Sequence, residues 1–384
     1  MAENTLTAII PDVYEALDQV SRELTGLIPS VTLAASAERV AKDQNVVVDV
    51  APEITGVDIT PAMVAPDPAG LTEGSATITI SKERAAPFGF NGNDQKAINT
   101  GVGYMNHRAG KIAQAIRTIA NEMETDLAAL QSTFSVAYGT AGTTPFGTAN
   151  DYTDATQTLA LLKDAGAPPD AQMVLDTVAG ANFLGKQSAV NAAGTDSMLR
   201  QGVLLDLAGM PLRESGKINQ AVTAGTGASA TTDTAGYAVG DTTITLASAG
   251  TGTIIAGDLI TFTGDTTKYV VVTGDADVSG GGTVVIAEPG LRKAIPASAT
   301  AITVSAASTR NMVFSRSALV LATRAPARPE EGDLADDVMM ITDPRSGMTF
   351  ELSMYKGYRK VRYEIAAAWG VKNIKKAHTA LLLG

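Results

Sequence analysis

From Met105 to Phe134 the chain contains no proline and a single glycine, Gly110. Across that stretch Met105, Ala109, Ile112, Ile116, Ile119, Met123, Leu127, Leu130 and Phe134 recur at an average spacing of about 3.6 residues, the period of an α-helix. Read with its lead-in from Gly101, the run predicts one helix of about 45 Å at ~1.5 Å rise per residue. Such a helix is several times the usual length. Its repeat follows 3.6 rather than 3.5, which disfavours a supercoiled seam. A single long helix between segments of β character is expected to act as a strut against which sheets pack. The stripe residues Met105, Ile112, Ile116, Ile119, Met123, Leu127, Leu130 and Phe134 are its predicted core.

The chain is long enough, at 384 residues, to bury a large core in two or three domains. Its aromatic content is only 5% while glycine reaches 37 residues, so broad thin layers are expected rather than one thick core. The net charge of −11 argues against affinity-driving contact with nucleic acid, which calls for a basic patch. The one basic run that stands out, Lys372 to Lys376, is short. With no cysteine, disulfides, thiolate metal sites and cysteine nucleophiles are all excluded. The first twenty residues are acidic and lack an apolar signal-peptide core, and no apolar run reaches membrane-spanning length, so folding in a cytosol-like compartment is expected.

Taken in order, residues 7–28 predict a helix with an apolar stripe of Val13, Leu17, Val20, Leu24 and Leu27 and an acidic face carrying Asp12, Glu15 and Asp18. Val46, Val48 and Val50, then Ile78 and Ile80, alternate with other residues and predict a two-stranded ribbon with a Pro- and Gly-rich tip between. A ribbon of this kind is marginal alone, so it is expected to lie on a neighbouring subunit. Beyond the long helix, Thr153 is expected to cap a short helix closed by Gly166 and Pro168, followed by a strand at 171–176 and a helical segment. Composition shifts near Val222 to Thr, Gly, Ala and Val. Five short strand candidates (242–247, 258–263, 268–273, 283–287 and 301–305) with regular turns then predict a small all-β barrel inserted at 223–305. A continuous extension of the host sheet is the alternative. Phe350, Leu352 and Met354, then Val361, Tyr363 and Ile365, predict a hairpin with one buried face under the long helix.

Chemistry is sparse. His107 and His378 are far apart, and no G-x-S-x-G, Walker or H-E-x-x-H pattern occurs. Asp275 and Asp277 supply only two carboxylates, too few for a calcium site. The acidic run 333–337 is expected to be a solvated loop. No catalytic, cofactor or metal residue is predicted, and the chain is not expected to be an enzyme.

The order of these parts (arm helix, ribbon, the F-x-F-x-x-x-D segment from Phe88 to Asp94, a long helix ending ANEMETDLAAL, an interrupted domain, a terminal hairpin ending RYEIAAAWGVKNI) resembles the major capsid proteins of tailed bacteriophages of the P22 type, which have the HK97-like fold. The segment 223–305, with GMPLRESGKINQ before it, resembles the I-domain of that branch. The resemblance implies an α+β fold with an N-terminal arm at 1–45 and an E-loop ribbon at 46–98. A P-domain would be formed by 99–140 with 345–384, and an A-domain by 141–222 with 306–344. It implies hexamers and pentamers of the same chain in an icosahedral virion shell that encloses double-stranded DNA without specific binding. Assembly in the host bacterial cytoplasm would use a scaffolding protein and a portal, with expansion on maturation and a possible decoration protein. Asp12, Glu15 and Asp18 would be the scaffold contacts. An encapsulin-like compartment with the same fold, and a tube or surface-layer protein, are the rival readings. An enzyme with a Ser or Thr nucleophile lacks any base partner in the sequence.

Overall fold

The computed structural model describes residues 10–23, 26–50, 74–99, 104–148, 151–187, 206–218, 221–343 and 346–384. In chain order, α1 (Ile10–Glu23), β1 (Thr32–Val40), β2 (Asn45–Val50), β3 (Gly74–Thr79), β4 (Lys82–Asn91), α2 (Gly92–Asn99) and α3 (Tyr104–Ala129) come first. Then follow β5 (Val136–Tyr138), α4 (Thr153–Asp164), β6 (Ala171–Leu175), α5 (Thr177–Gln187) and β7 (Leu212–Glu214). Five short strands come next: β8 (Thr243–Leu246), β9 (Leu259–Phe262), β10 (Lys268–Thr273), β11 (Gly282–Ile286) and β12 (Ile302–Val304). The chain closes with β13 (Arg310–Ser315), β14 (Leu319–Pro326), β15 (Asp337–Thr342), β16 (Thr349–Gly357), β17 (Lys360–Asn373) and β18 (Thr379–Leu383).

The long helix is α3, 26 residues of mostly strong helix formers. A short 3₁₀ turn, Leu130–Thr133, carries the chain on to Phe134. Ile112, Ile116, Ile119, Met123, Leu127 and Phe134 are fully buried, and Leu130 is half-buried against the same core. The side chain of Met105 lies outside the described residues. The stripe packs on a six-stranded sheet of order β1-β14-β17-β16-β15, with β4 paired along β17. On β14 successive residues face opposite ways: Leu319 and Leu321 join the α3 core, whereas Val320 and Ala322 join Ile78 and Ile80 from the base of the ribbon. Both faces of this sheet are therefore covered near β14.

A second sheet of order β12-β9-β10-β5-β18-β13-β6-β7 lies beyond the end of α3. β8 and β11 extend it from β10. The residues between Ala228 and Asp233 bridge β8 on one side and the start of β12 on the other, through Ala247 N–H to Thr231 O and Ile302 N–H to Ala230 O, 2.9 and 2.8 Å. With 228–233 as a further rung the five strands form a closed ring of pairings, while β9, β10 and β12 also belong to the same ten-stranded sheet as the host strands, the continuous extension that is the alternative reading. Two of its turns are built alike: Ala238 N–H donates to Asp241 and Ile255 N–H to Asp258, with Gly240 and Gly257 both at positive φ. The barrel is not a free appendage, because β10 also pairs with β5 at Lys268 and Tyr269. One apolar cluster runs from Leu159 and Met173 in the host layer to Ile244 and Val284 in the barrel.

Several predicted boundaries move. The N-terminal helix, described over Ile10–Glu23, does not run to 28: it has ended by Gly26, and Leu27 and Ile28 turn their N–H groups onto Glu124. The arm segment 1–45 contributes β1, parallel to β14, so it is partly body. In 46–98 only β2 and β3 form the ribbon; β4 pairs with β17 over ten positions. The segment 306–344 is split between the sheets, with β13 in one and β14 and β15 in the other, and β18 leaves the terminal hairpin for the second sheet. The hairpin is buried on both faces: Glu351 and Ser353 are as buried as Phe350, because Arg39 and Arg328 cover them with charge. Thr153 does not cap α4; its own N–H is taken by Asp151, 2.8 Å away.

Candidate interaction surfaces

The ribbon is only partly covered by the rest of the chain. β2 and β3 pair over six positions from Asn45↔Thr79 to Val50↔Gly74. Val46, Val48 and Val50 form one row and are only half-buried, while Val47 on the opposite face is 62% exposed. Residues 51–73, the predicted tip, lie outside the described residues. At its base Lys82 Nζ is held by Asp126 of α3 at 2.6 Å.

The acidic face of α1 is divided. Asp12 is bonded by Arg108 of α3, a nearly buried guanidinium that donates Nε–H at 3.0 Å. Glu15 and Asp18 are exposed. Of the three scaffold-contact candidates, Asp12 is thus committed to holding α1 on α3, and Glu15 and Asp18 remain on the surface.

Three acids at the C-terminal end of α3, which look like polar filler in the sequence, are fasteners. Glu122 pairs with Arg84 of β4 at 2.9 Å. Glu124 is buried and accepts from Leu27 N–H at 2.5 Å, Ile28 N–H at 3.0 Å and Ser215 Oγ–H at 2.8 Å. Asp126 accepts from Lys82 and from the indole Nε1–H of Trp369, 2.8 Å. Their signal in the sequence was position: Glu124 follows stripe residue Met123, and Asp126 precedes Leu127.

Among the described residues no three His, Cys, Asp or Glu side chains stand together as a metal site. Asp275 and Asp277 are taken up by the turn they make, accepting from Asp277 N–H and Ser279 N–H. His107 is exposed, edge-on to Phe90 at 6.1 Å between ring centres. Burial first, then the charge of Asp176, pushes the Glu214 carboxyl up. Asp176 itself caps α5 through Val178 N–H and Ala179 N–H. Of the run 333–337, Asp333, Leu334 and Asp336 are exposed in a loop, with Asp333 and Asp336 paired to Arg328 and Lys356, while Asp337 already begins β15.

No protein-family model and no curated protein matches the chain. Solved structures similar over most of its length include a virus-like particle from Pyrococcus furiosus, with TM-score 0.44, 8% identity, and coverage of 97% of this chain and 98% of that one. The capsid of cyanophage P-SCSP1u gives 0.43 and 13%, covering 92% and 86%. A structure of Mycobacterium phage Che8 gives 0.41 and 12%, covering 90% and 88%. Likeness at TM-scores below 0.5 carries no argument by itself.

Proposed function

We propose that the chain is the subunit of an icosahedral protein shell, a major capsid protein of the tailed-phage type with no enzymatic role. The ribbon carries the reading. A two-stranded ribbon with a half-covered valine row is marginal on its own, and a second copy of the chain supplies the surface it lacks. The body suits the same role, since α3 braces a sheet covered on both faces near β14, which is a thin stiff plate rather than an enzyme cleft. The names of two neighbours, capsid and virus-like particle, agree with this reading but do not carry it.

In this proposal the ribbon is the E-loop reaching over an adjacent subunit, α3 with β16–β17 the P-domain, and the second sheet the A-domain with the barrel as an inserted I-domain. Hexamers and pentamers close around double-stranded DNA, after a scaffold-assisted procapsid that expands on maturation and fills through a portal. Glu15 and Asp18 are the scaffold contacts on α1. An acidic chain suits a DNA container, since tight phosphate binding would hinder filling and release. Lys82 is occupied by Asp126 and residues 54–74 contain no lysine, so the shell is held by packing and not by lysine crosslinks.

Expression with and without a candidate scaffolding protein, followed by electron microscopy, tests the proposal. Uniform icosahedral shells are expected; tubes, flat sheets or monomers alone refute it, and shells loaded with a protein cargo favour the encapsulin-like reading. Boiling purified shells in SDS should leave only the monomer band, and ladders above it would end the non-crosslinked claim.

A further inference from the structure

The turn joining β16 to β17 reads Lys356-Gly357-Tyr358-Arg359-Lys360-Val361-Arg362, four cations in seven residues of a chain with net charge −11. Two are neutralised locally: Lys356 pairs with Asp336, and Arg362 with Glu364 at 2.8 Å. Arg359 and Lys360 have no carboxylate partner among the described residues. Tyr358 is 88% exposed, with the Arg359 guanidinium 5.7 Å from its ring centre. Beside the turn lies an open groove of about 760 Å³, floored by Phe90 and walled by Asn91, Asn93 and Gln95.

The backbone makes the composition of this turn harder to dismiss. Gly357 and Lys360 pair across it, leaving a two-residue loop of Tyr358 and Arg359. Arg359 sits at φ 58°, where glycine or asparagine is the unstrained choice. An arginine held in that conformation next to a bare tyrosine breaks a local rule, as functional sites do.

We propose that this turn and its groove bind single-stranded nucleic acid, with Tyr358 as the platform for a base and Arg359 and Lys360 on the flanking phosphates. Exposed aromatics interleaved with cations are the sequence-tolerant way of holding a strand. An acidic peptide would also be drawn to two unpaired cations, but it offers no flat base for the exposed Tyr358 ring, which is what favours a strand. The overall charge of −11 forbids a strong, whole-surface interaction and leaves room for a weak local one. The proposal does not rest on the shell reading, since an unassembled chain presents the same turn.

Fluorescence anisotropy of labelled oligothymidylate with the full-length chain, from about 25 to 200 mM NaCl, tests it. Two phosphate contacts predict a slope of log K against log salt of about −1.4. Arg359→Gln with Lys360→Gln should bring that slope close to zero. Tyr358→Ala should weaken binding about fivefold or more at unchanged slope, and Tyr358→Trp should restore it. Arg359→Gly should raise the melting temperature while weakening binding, which separates a recognition role from a structural one. The proposal is overturned by absence of binding at the lowest salt, by variants that bind as the parent does, or by duplex DNA or polyglutamate competing as well as the single strand. A drop in melting temperature for Arg359→Gly would also overturn it.

Discussion

Glu124→Ala should be one of the most damaging single changes on the surface-to-core seam of this protein. The carboxylate accepts three hydrogen bonds, two of them from the backbone N–H groups of Leu27 and Ile28, which are 0% and 5% exposed. Ser215 Oγ can turn to another acceptor, but the two amides cannot. Each buried donor left without a partner costs about 1–3 kcal/mol, so the loss for the two amides is about 2–6 kcal/mol, against a typical total of roughly 5–15 kcal/mol. Gly26 supplies a second, independent test of the same contact. A Cβ built there would stand 1.9 Å from Glu124 Oε1 and 3.1 Å from Ser215 Cβ, so Gly26→Ala must expel the carboxylate from its seat. With Glu124 already truncated most of that clash is gone, and the double variant should cost about 1–3 kcal/mol less than the sum of the singles. Trp369, the only tryptophan, reports this layer directly, since it is fully buried against α3. Urea unfolding followed by its fluorescence gives the four free energies. If Glu124→Ala stays within about 0.5 kcal/mol of the parent, or the two changes simply add, the carboxylate is not the clasp described.

Gly110 lies on the exposed side of α3, with nothing within 4 Å of where an added methyl would stand; Gly110→Ala should therefore stabilise by about 0.5–1 kcal/mol, read as a higher thermal midpoint. The Tyr269 phenol is pushed up to about 12, by burial first and then by its bond to Asp265. Its neutral form is favoured in the fold, so the stability it confers is complete below pH ~10 and is lost as pH rises through about 12. Tyr269→Phe should flatten alkaline unfolding curves over that window. Burial first, and then the Lys375 charge, hold the His378 imidazole below its ordinary value of 6.5. Protonation is thus disfavoured in the fold, and stability falls as pH drops below about 6.5. Acid titration of His378→Gln should show a shallower fall, and an identical curve would contradict the assignment.

What the sequence showed and what it hid divide along one line. Periodicity identified α3, the β2–β3 ribbon, the β16–β17 hairpin and all five short barrel strands, because each element's own residues face one consistent environment. Several strands carry no such mark, β1, β4, β13, β14, β15 and β18 among them. Thr32-Leu33-Ala34-Ala35-Ser36 has no alternation to mark it, yet it forms a parallel strand because β14 offers a buried edge. Lys82 to Asn91 looks like a connector because its charges are spent on α3, through Arg84 to Glu122 and Lys82 to Asp126. The interaction surfaces were half visible. The acidic face of α1 could be seen, but not that Asp12 would be claimed by Arg108, ninety-six residues away. The basic turn at 356–362 does not form an unbroken charge run, since Gly357, Tyr358 and Val361 interrupt it.

Asp126 allows the two kinds of fastening on α3 to be separated. One oxygen holds Lys82, whose side chain is 43% exposed, and the other accepts the indole N–H of Trp369, which is 0% exposed. An exposed lysine–carboxylate pair is worth about 0–1 kcal/mol, because water solvates the ammonium almost as well. A buried indole donor left without an acceptor costs about 1–3 kcal/mol. Asp126→Asn keeps a carbonyl oxygen for the indole and discards only the charge, so it should cost less than about 1 kcal/mol and leave the Trp369 emission where it was. Asp126→Ala removes both partners, so it should cost about 1–3 kcal/mol more and shift the emission as the indole loses its acceptor. Equal losses for the two variants would mean that the ribbon-base lysine, and not the tryptophan, is what holds α3 to the sheet at this end. The ribbon would then be tied to the body more firmly than a reaching arm should be.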